Sequence, residues 1–216
     1  MKVLIIGSSS DIAQKLVLDK RNLFDFIEVS SSNSGFDVQD EETFPVIEEG
    51  IDGIVYFPGS INLKPFSNLK IQDFKQDYEI NFLGLIKVLK HYQKDLNNNA
   101  SLVFISSIAA SVGMPFHSSI SSSKSALEGL CRSLAAEWAP KVRVNCIAPS
   151  LTKTKLSKRL LRTEHQKEQM MQKHPLKRVG YSKDISNSIS FLLSDQSSWI
   201  TGQVLAVDGG LSKIKL

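Results

Sequence analysis

The amino-acid sequence predicts an α/β domain with a parallel sheet that helices cover on both faces. Short apolar runs of strand type alternate with stretches of helical periodicity along the chain, which is the pattern of β-α-β units. A turn of small residues follows the first apolar run and opens directly into a helix. The chain has 216 residues, of which 42% are hydrophobic and 22% charged. This length and composition favour one domain, residues 1–216, around one well-covered core.

Apolar runs that predict strands cover residues 3–6, 26–29, 53–57, 102–105, 142–147 and 204–207. Helices are predicted over residues 12–18, 71–96, 122–138, 157–172 and 184–193. The order fits a doubly wound sheet of about seven strands, in which a ligand sits at the carboxyl ends of the strands. The polar stretch at 30–35 predicts that the second and third strands are joined without a packed crossover helix.

Composition narrows the function classes. Only four consecutive apolar residues follow Lys2, too few for a signal peptide or a membrane span, so a soluble, cytoplasmic protein without a membrane partner is expected. Cys131 and Cys146 lack the spacing of a zinc site or a disulfide framework, so no metal is expected.

A basic segment at 153–178, here called the flap, contains nine lysines and arginines against two glutamates. Such a segment is either a solvated helix face or a substrate flap that attracts an anionic ligand. It contains no aromatic residue for base stacking, so nucleic acid is not an expected partner.

The turn after the first strand reads Gly7-Ser8-Ser9-Ser10-Asp11-Ile12-Ala13. Small residues before a helix let backbone N–H groups and the positive helix end approach a pyrophosphate. Only the first position of a G-x-x-x-G-x-G pattern is glycine here, because Asp11 and Ala13 occupy the other two. An ordinary strand-to-helix turn capped by Ser10 is therefore the alternative interpretation.

Further motifs follow in a fixed order along nearly the whole chain. They are Asp37-Val38, Asn81 in Glu79-Ile80-Asn81-Phe82-Leu83-Gly84, Ile105-Ser106-Ser107, Ser123-Lys124-Ser125-Ala126, Arg143-Val144-Asn145-Cys146-Ile147-Ala148-Pro149, Thr201-Gly202-Gln203-Val204 and Val207-Asp208-Gly209-Gly210. With these motifs in this order, the chain resembles the short-chain dehydrogenase/reductase family. The resemblance implies a Rossmann-type domain that binds NAD(P)(H) and transfers a hydride to or from a small carbonyl or alcohol substrate.

The resemblance also implies a set of cofactor-binding residues: Gly7, Ser9, Ser10, Asp11, Ile12, Ser30, Ser31, Asp37, Val38, Pro58, Gly59, Lys124, Pro149, Thr152 and Thr154. A carboxylate at the end of the second strand would bind the ribose 2′-hydroxyl of NAD. Ser30 and Ser31 stand there instead, so NADP(H) is slightly favoured over NAD(H), although no arginine is present to pair with the 2′-phosphate.

The resemblance assigns catalytic roles to Ser107, Lys124 and Asn81. The family's tyrosine stands four residues before its lysine, on the same helix face, but this chain has Ile120 there. An isoleucine cannot donate a proton to the developing alkoxide. His117 on the preceding loop and Tyr56 at the end of the strand at 53–57 are the candidate substitutes, and packing is the alternative role of Tyr56.

Two functions follow from these features. One is an NAD(P)(H)-dependent oxidoreductase, a carbonyl reductase with an atypical site. The other is a catalytically silent nucleotide-binding or assembly subunit, which Ile120 and the altered glycine turn favour. The helices at 71–96 and 122–138 resemble those that pair subunits in the family, so a homodimer or homotetramer is expected. Phe82, Leu85, Leu127, Leu130 and Leu134 would form that contact or the core.

Overall fold

The computed structural model describes residues 1–48 and 50–215. The strands are β1 (Lys2–Ile6), β2 (Asp25–Val29), β3 (Ile51–Tyr56), β4 (Leu96–Ile105), β5 (Val142–Pro149), β6 (Thr152–Lys153), β7 (Gly180–Tyr181) and β8 (Val204–Val207). Six of them form the main sheet, all parallel, in the spatial order β2-β1-β3-β4-β5-β8. β6 and β7 form a separate two-stranded pair.

The predicted α/β fold with a doubly wound parallel sheet is confirmed, with six strands in the main sheet of the described residues and not about seven. Residues 30–50 supply neither a crossover helix nor another strand, since only a short 3₁₀ turn at Glu41–Thr43 forms there within the described part. The strand order therefore reverses between β1 and β3, with β2 at one edge of the sheet. A parallel sheet with such a reversal opens a crevice at the carboxyl ends of the two strands that flank it.

Helices cover both faces of the sheet: α1 (Asp11–Lys20), α2 (Ile71–Tyr78), α3 (Gly84–Tyr92), α4 (Ser118–Trp138), α5 (Glu164–Lys173) and α6 (Ser182–Leu193). Side chains such as Leu4, Ile54 and Phe104 point to the face that packs against α3 and α4. Their neighbours along the strands, such as Ile5 and Val55, point to the face that packs against α1 and α6. The alternation places one apolar layer on each side of the sheet.

The helix predicted over 71–96 is interrupted. A single π-helical turn, Glu79–Leu83, separates α2 from α3, and Leu96 already begins β4. Gly84 follows the π turn, where a Cβ would lie 2.7 Å from the Tyr56 hydroxyl and 2.9 Å from Val38. Glycine lets the helix approach β3 and the loop after β2 this closely. Single π turns occur frequently at functional sites, and Asn81 lies within this one.

The helix predicted over 157–172 begins later than expected, because Ser157 does not cap it. The Ser157 hydroxyl donates to the Thr152 carbonyl at 2.5 Å, while Thr163 caps α5 by accepting from the Gln166 N–H at 3.2 Å. A short 3₁₀ turn at Lys158–Leu161 precedes α5. The flap is thus two short pieces joined by a bend.

None of the helices in the described residues is both long and apolar enough to cross a membrane. No group of three or more histidine, cysteine or acidic side chains in these parts of the chain is arranged to hold a metal ion.

Candidate active site at the carboxyl ends of the strands

Two turns meet where β1 and β3 end, at the reversal of the strand order. Gly7 has φ of +82°, and a Cβ there would lie 3.1 Å from the Pro58 ring. Glycine is required at position 7 by both its positive φ and this close approach. Ser10 caps α1, with its hydroxyl accepting from the Ile12 N–H at 3.3 Å. The N-terminus of α1 therefore opens at the crevice beside the turn that contains Pro58 and Gly59.

Asp11 ties this turn to the flap. One carboxylate oxygen accepts from the Lys155 backbone N–H at 2.5 Å, and the Lys155 ammonium lies 3.6 Å from the other oxygen. A carboxylate in the first turn stabilises a helix through the helix dipole. The same negative charge stands at the helix end where the sequence predicts a pyrophosphate.

Lys124 extends from α4 toward the end of β4. Its Nζ donates to the Ile105 carbonyl at 2.7 Å, and its side chain is buried. Burial lowers the pKa of Lys124 to about 8, against smaller opposing effects of Cys146 and Asp77. The lysine predicted from the sequence therefore lies at the carboxyl edge of the sheet, with a pKa closer to neutrality than that of an exposed lysine.

Asn81 is completely buried in the π turn. Its Nδ2 donates to the Asp77 carbonyl at 2.7 Å and to the Ser60 hydroxyl at 3.0 Å. Its Oδ1 has no hydrogen-bond partner among the described residues. A Cβ built on Gly59 would lie 3.1 Å from that oxygen and 3.7 Å from the Lys124 Nζ. The amide oxygen and the ammonium thus converge on Gly59.

Ser107 and Ile120 complete this end of the site. Ser107 lies two residues beyond β4, at the start of the 3₁₀ turn Ile108–Ala110, and its hydroxyl accepts from the Ala109 N–H at 3.2 Å. Ile120 lies one turn before Lys124 on α4 and is 5% exposed. The aliphatic Ile120 side chain therefore cannot act as an acid or a base.

The structure argues against Tyr56 as a replacement acid. Its hydroxyl is buried in the core and donates to the Ile80 carbonyl at 2.6 Å. Burial, and then the charges of Glu79 and Asp37, raise the pKa of Tyr56. Tyr56 instead ties β3 to the π turn, which is the packing alternative. His117 is partly exposed just before α4, and its Nδ1 lies 2.7 Å from the Pro115 carbonyl.

The predicted adenine end lies in the loop after β2. Ser30 is buried, and its hydroxyl donates to the Asn33 side chain at 2.7 Å, so it already has a partner. Ser31 is exposed. Asp37 is exposed and accepts from the Gln39 N–H at 2.9 Å, while Val38 is buried beside Gly84. Of the two serines, only Ser31 presents a solvent-accessible side chain.

The chain after β5 joins the flap through polar contacts. Ser150 follows Pro149, and its hydroxyl lies 2.9 Å from Nε2 of His174, a buried side chain at the end of α5. The Thr152 hydroxyl donates to the Ser150 carbonyl at 3.1 Å, and the Thr154 hydroxyl lies 3.2 Å from that of Ser157. These hydroxyls are therefore engaged within the flap and its base.

A buried carboxylate next to Asn81 did not emerge from the sequence motifs. Asp77 is fully buried, and the hydroxyls of Ser60 and Ser119 donate to its two oxygens at 2.5 and 2.6 Å. Its position four residues before Asn81 puts both on one helix face, and this spacing is the signal that points to it. Ser119 stands immediately before Ile120.

Known proteins are similar in sequence to most of this chain. A family model described as enoyl-(acyl carrier protein) reductase matches residues 38–212. The peroxisomal 2,4-dienoyl-CoA reductase of Saccharomyces cerevisiae is 36% identical over 149 residues, which cover 68% of this chain and 51% of that protein. The chain spans about half the length of the curated relatives it matches.

Solved structures match over nearly the full length. The ligand-free aldohexose dehydrogenase of Thermoplasma acidophilum superposes with a TM-score of 0.89 at 24% identity, covering 100% of this chain and 96% of that one. The NADP-bound structure of ElxO gives a TM-score of 0.83 at 27% identity, covering 97% and 98%. The first match supports the fold alone, while the second is similar in sequence as well.

Proposed function

Because the chain belongs to the short-chain dehydrogenase/reductase family, we propose that it is an NAD(P)(H)-dependent oxidoreductase that reduces a carbonyl group. The observation that carries this proposal is the convergence of the Lys124 ammonium and the unpartnered Asn81 amide oxygen on Gly59. Both side chains are buried at the carboxyl edge of the sheet, beside the end of β4 that Ser107 follows. A buried polar oxygen without a partner calls for a ligand atom or a water.

The residues of the crevice fit a nicotinamide dinucleotide at the end where the reaction would occur. Lys124, Asn81 and Gly59 would hold the nicotinamide ribose and the water next to it. Gly7, Ser9, Ser10 and Ile12 would hold the pyrophosphate at the N-terminus of α1. Asp11 is the one residue of this turn whose charge opposes a phosphate. The bound cofactor supplies a hydride to the carbonyl carbon.

The chain's own residues then have separate roles. Ser107 donates a hydrogen bond to the substrate oxygen and orients the carbonyl group. Lys124 supplies positive charge where the oxygen becomes negative, and Asn81 orders a water beside it. Because Ile120 carries no hydroxyl, the direct acid of the family is missing, and general acid catalysis is typically worth about 10² to 10⁴ in rate.

We assign NADP(H) a slight preference over NAD(H). No carboxylate ends β2 to bind a ribose 2′-hydroxyl, and exposed Ser31 is a neutral neighbour for a 2′-phosphate. The NADP-bound relative at 27% identity supports this choice. Asp37 and Val38 would contact the adenine, and Pro58, Pro149, Thr152 and Thr154 would line the remaining cofactor path.

The substrate is proposed to be a small carbonyl compound with an anionic group. Arg159 of the flap donates to the Ile61 carbonyl at 2.9 Å, so the basic segment reaches the loop that carries Ser60. Lys155, Lys158, Arg159 and Arg162 line a depression on the flap. The relative named a 2,4-dienoyl-CoA reductase supports the anionic group of this proposal and not the carbonyl, because its name describes reduction of the diene of a CoA thioester.

A homodimer or homotetramer and a cytoplasmic location also remain proposals. Leu85 and Leu127 are core residues in the structure, while Phe82, Leu130 and Leu134 are partly exposed on the helices expected to pair subunits. The yeast relative is named as peroxisomal, so location does not follow from family membership.

Fluorescence titration with NADPH and NADH, followed by a carbonyl panel that includes acyl-CoA thioesters and neutral ketones, tests the reductase. Binding of at least one cofactor and its oxidation by at least one carbonyl compound are expected. Lys124→Met should remove the oxidation, whereas Lys141→Met, at an exposed position before β5, should not.

The alternative is a catalytically silent nucleotide-binding or assembly subunit, which Ile120 and Asp11 favour. Tight cofactor binding without oxidation by any compound of the panel would support it and contradict the reductase. Failure to bind either nucleotide would contradict both the reductase and a nucleotide sensor.

A further inference from the structure

Asp77 on α2 is a fully buried carboxylate with an unusual set of partners. Ser60 and Asn62 donate to Oδ1 at 2.5 and 2.9 Å, and Ser119 donates to Oδ2 at 2.6 Å. None of these three donors, all in the described part of the chain, is charged. Burying a carboxylate among neutral donors is costly, so its retention at the site requires an explanation.

The carboxylate is linked to the site through Ser60. The Ser60 hydroxyl donates to Asp77 and accepts from the Asn81 Nδ2 at 3.0 Å. Both hydrogen bonds fix the Asn81 amide so that its Oδ1 faces Gly59, close to the point that the Lys124 Nζ also approaches. Asp77 therefore controls the orientation of the amide next to the lysine.

The first turn of α4 contributes one aliphatic and one polar side chain next to this network. Ile120 presents an aliphatic side chain where a phenol would face the substrate, while its neighbour Ser119 directs a hydroxyl at Asp77. One turn later, the Lys124 ammonium carries three protons, and Ile105 provides its one hydrogen-bond acceptor in the described parts of the chain. The ammonium thus keeps N–H groups for a substrate oxygen.

We propose that Lys124 itself is the proton donor of this site, and that Asp77 is the positioning residue that, through Ser60, orients the Asn81 amide beside it. This inference rests on the proposed reductase function. A hydride from the dihydronicotinamide bonds to the carbonyl carbon, and the π electron pair of the C=O bond moves to oxygen. That oxygen takes a proton from Nζ of Lys124, so an N–H bond breaks and an O–H bond forms. The neutral amine then regains its proton from water.

The pKa of Lys124 and the charged groups near it are consistent with a role as proton donor. Burial lowers the pKa of Lys124 to about 8, so the amine is protonated at neutral pH but is a better acid than an exposed lysine. Cys146 on β5 and Asp77 on α2 are the groups that oppose this lowering when they carry a negative charge. Burial raises the pKa of the Cys146 thiol, which is therefore uncharged near neutral pH. Glu128, one turn after Lys124, binds Ser106 at 2.6 Å. Asp77 is the carboxylate whose charge acts on the lysine.

The test combines two measurements on the full chain. The pKa of Lys124 is measured without cofactor by NMR of ¹³C-labelled lysine, with the signal assigned through Lys124→Met. In the wild type it should lie near 8. Asp77→Asn keeps the shape and removes the charge, so the pKa of Lys124 should fall by about 0.5 or more.

The second measurement is the pH profile of carbonyl reduction. Because the protonated lysine is the donor, the rate should decline as the pH rises through the pKa of Lys124. Asp77→Asn should move that decline to lower pH by the amount found by NMR. Asp73→Asn is the matched control, since it alters a carboxylate one turn earlier on α2, paired with Lys64, and should move neither value.

If Asp77→Asn does not fold, the double variant Asp77→Val/Ser119→Ala replaces one donor–acceptor pair by apolar groups and gives the same prediction. A wild-type pKa near that of an exposed lysine, or no change in either measurement for a folded Asp77 variant, would overturn the inference. A coupled NMR titration without reduction of any carbonyl would refute the reductase, and with it the donor role, but would leave the effect of Asp77 on Lys124 intact.

Discussion

Ile120 and Lys124 lie one turn apart on α4 and determine what chemistry the site can perform. The lysine keeps its place at the end of β4, but the aliphatic side chain removes the phenol that the family uses. In the mechanism we propose, proton delivery then depends on the Lys124 ammonium, whose pKa burial lowers to about 8. At the scale of single residues, the chemistry depends on where one proton comes from.

Restoring the phenol tests this directly. Ile120→Tyr should raise the rate of carbonyl reduction at least about tenfold over Ile120→Phe, because a phenol next to Lys124 adds general acid catalysis. The phenylalanine variant has the same ring without the hydroxyl, so it controls for packing at this buried position. Steady-state kcat and cofactor affinity are the measurements. Equal rates for the two variants would mean that a hydroxyl at position 120 does not face the substrate.

The roles of single residues were only partly predictable. Lys124 lies within a helix of regular spacing, as its motif predicts, whereas Asn81 lies in the π turn, which that spacing does not predict. Asp77 was not predicted, since its burial depends on Ser60 and Ser119, which come from other parts of the chain. Tyr56 was predicted to end a strand, but the direction of its hydroxyl depends on the π turn.

The turn before α1 and the flap form a unit at the scale of elements. The Asp11 carboxylate accepts the Lys155 backbone N–H, so the flap is attached to the helix end that would receive a pyrophosphate. A bound phosphate would share this position with a negative charge. We therefore expect the charge of Asp11 to weaken cofactor binding, while its contact with Lys155 keeps the flap near the turn.

Asp11→Asn should tighten NADPH binding about three- to tenfold, because it removes a negative charge next to the phosphates. It should also lower the melting temperature slightly, since the first turn of α1 loses a favourable charge. Fluorescence titration and thermal unfolding measure the two effects. Asp19→Asn, at the other end of α1 in an ion pair with Lys15, should leave the affinity unchanged. Weaker binding by Asp11→Asn would show instead that the Asp11 contact orders the flap for the cofactor.

Helix boundaries could be predicted where the capping contact is made by neighbouring residues. They could not be predicted where the serine makes a contact that depends on the fold. Ser10 as the cap of α1 belonged to the alternative interpretation of the glycine turn, and the structure contains that capping contact. Ser157 has a serine's usual preference for a cap, but its hydroxyl binds the Thr152 carbonyl, a contact made by the fold of the flap. Helical periodicity also did not predict the π turn, because the one residue that it adds shifts the apolar pattern by only one position.

The whole molecule is a three-layer domain whose order was largely predictable. Alternating apolar runs predicted the parallel sheet, and the short loop after β2 predicted the absence of a crossover helix there. The number of strands was overestimated, because this loop also removes a strand from the sheet edge. The buried polar cluster around Asp77 could not be predicted from the sequence, because hydrophobic periodicity describes only the apolar layers.

The assembly of whole subunits into a homo-oligomer stays a prediction. Leu83 and Tyr78 are 38% and 37% exposed on the helix that would pair subunits. Light scattering should show a dimer or tetramer, and Leu83→Lys should shift it toward the monomer by placing a charge in an apolar contact. Leu18→Lys alters a leucine that is 61% exposed on α1 and should leave the assembly unchanged. A monomeric wild type, or equal effects of the two variants, would exclude this interface.

A crystal structure of the protein with NADPH bound would show whether Lys124 can reach the reacting oxygen. We expect the pyrophosphate over the turn from Gly7 to Ser10, and the nicotinamide ribose within hydrogen-bonding reach of the Lys124 Nζ. A carbonyl oxygen placed over the reactive carbon should then find the Ser107 hydroxyl and the ammonium as its nearest donors. A dinucleotide bound elsewhere, or another hydroxyl or imidazole between Lys124 and that oxygen, would contradict this expectation.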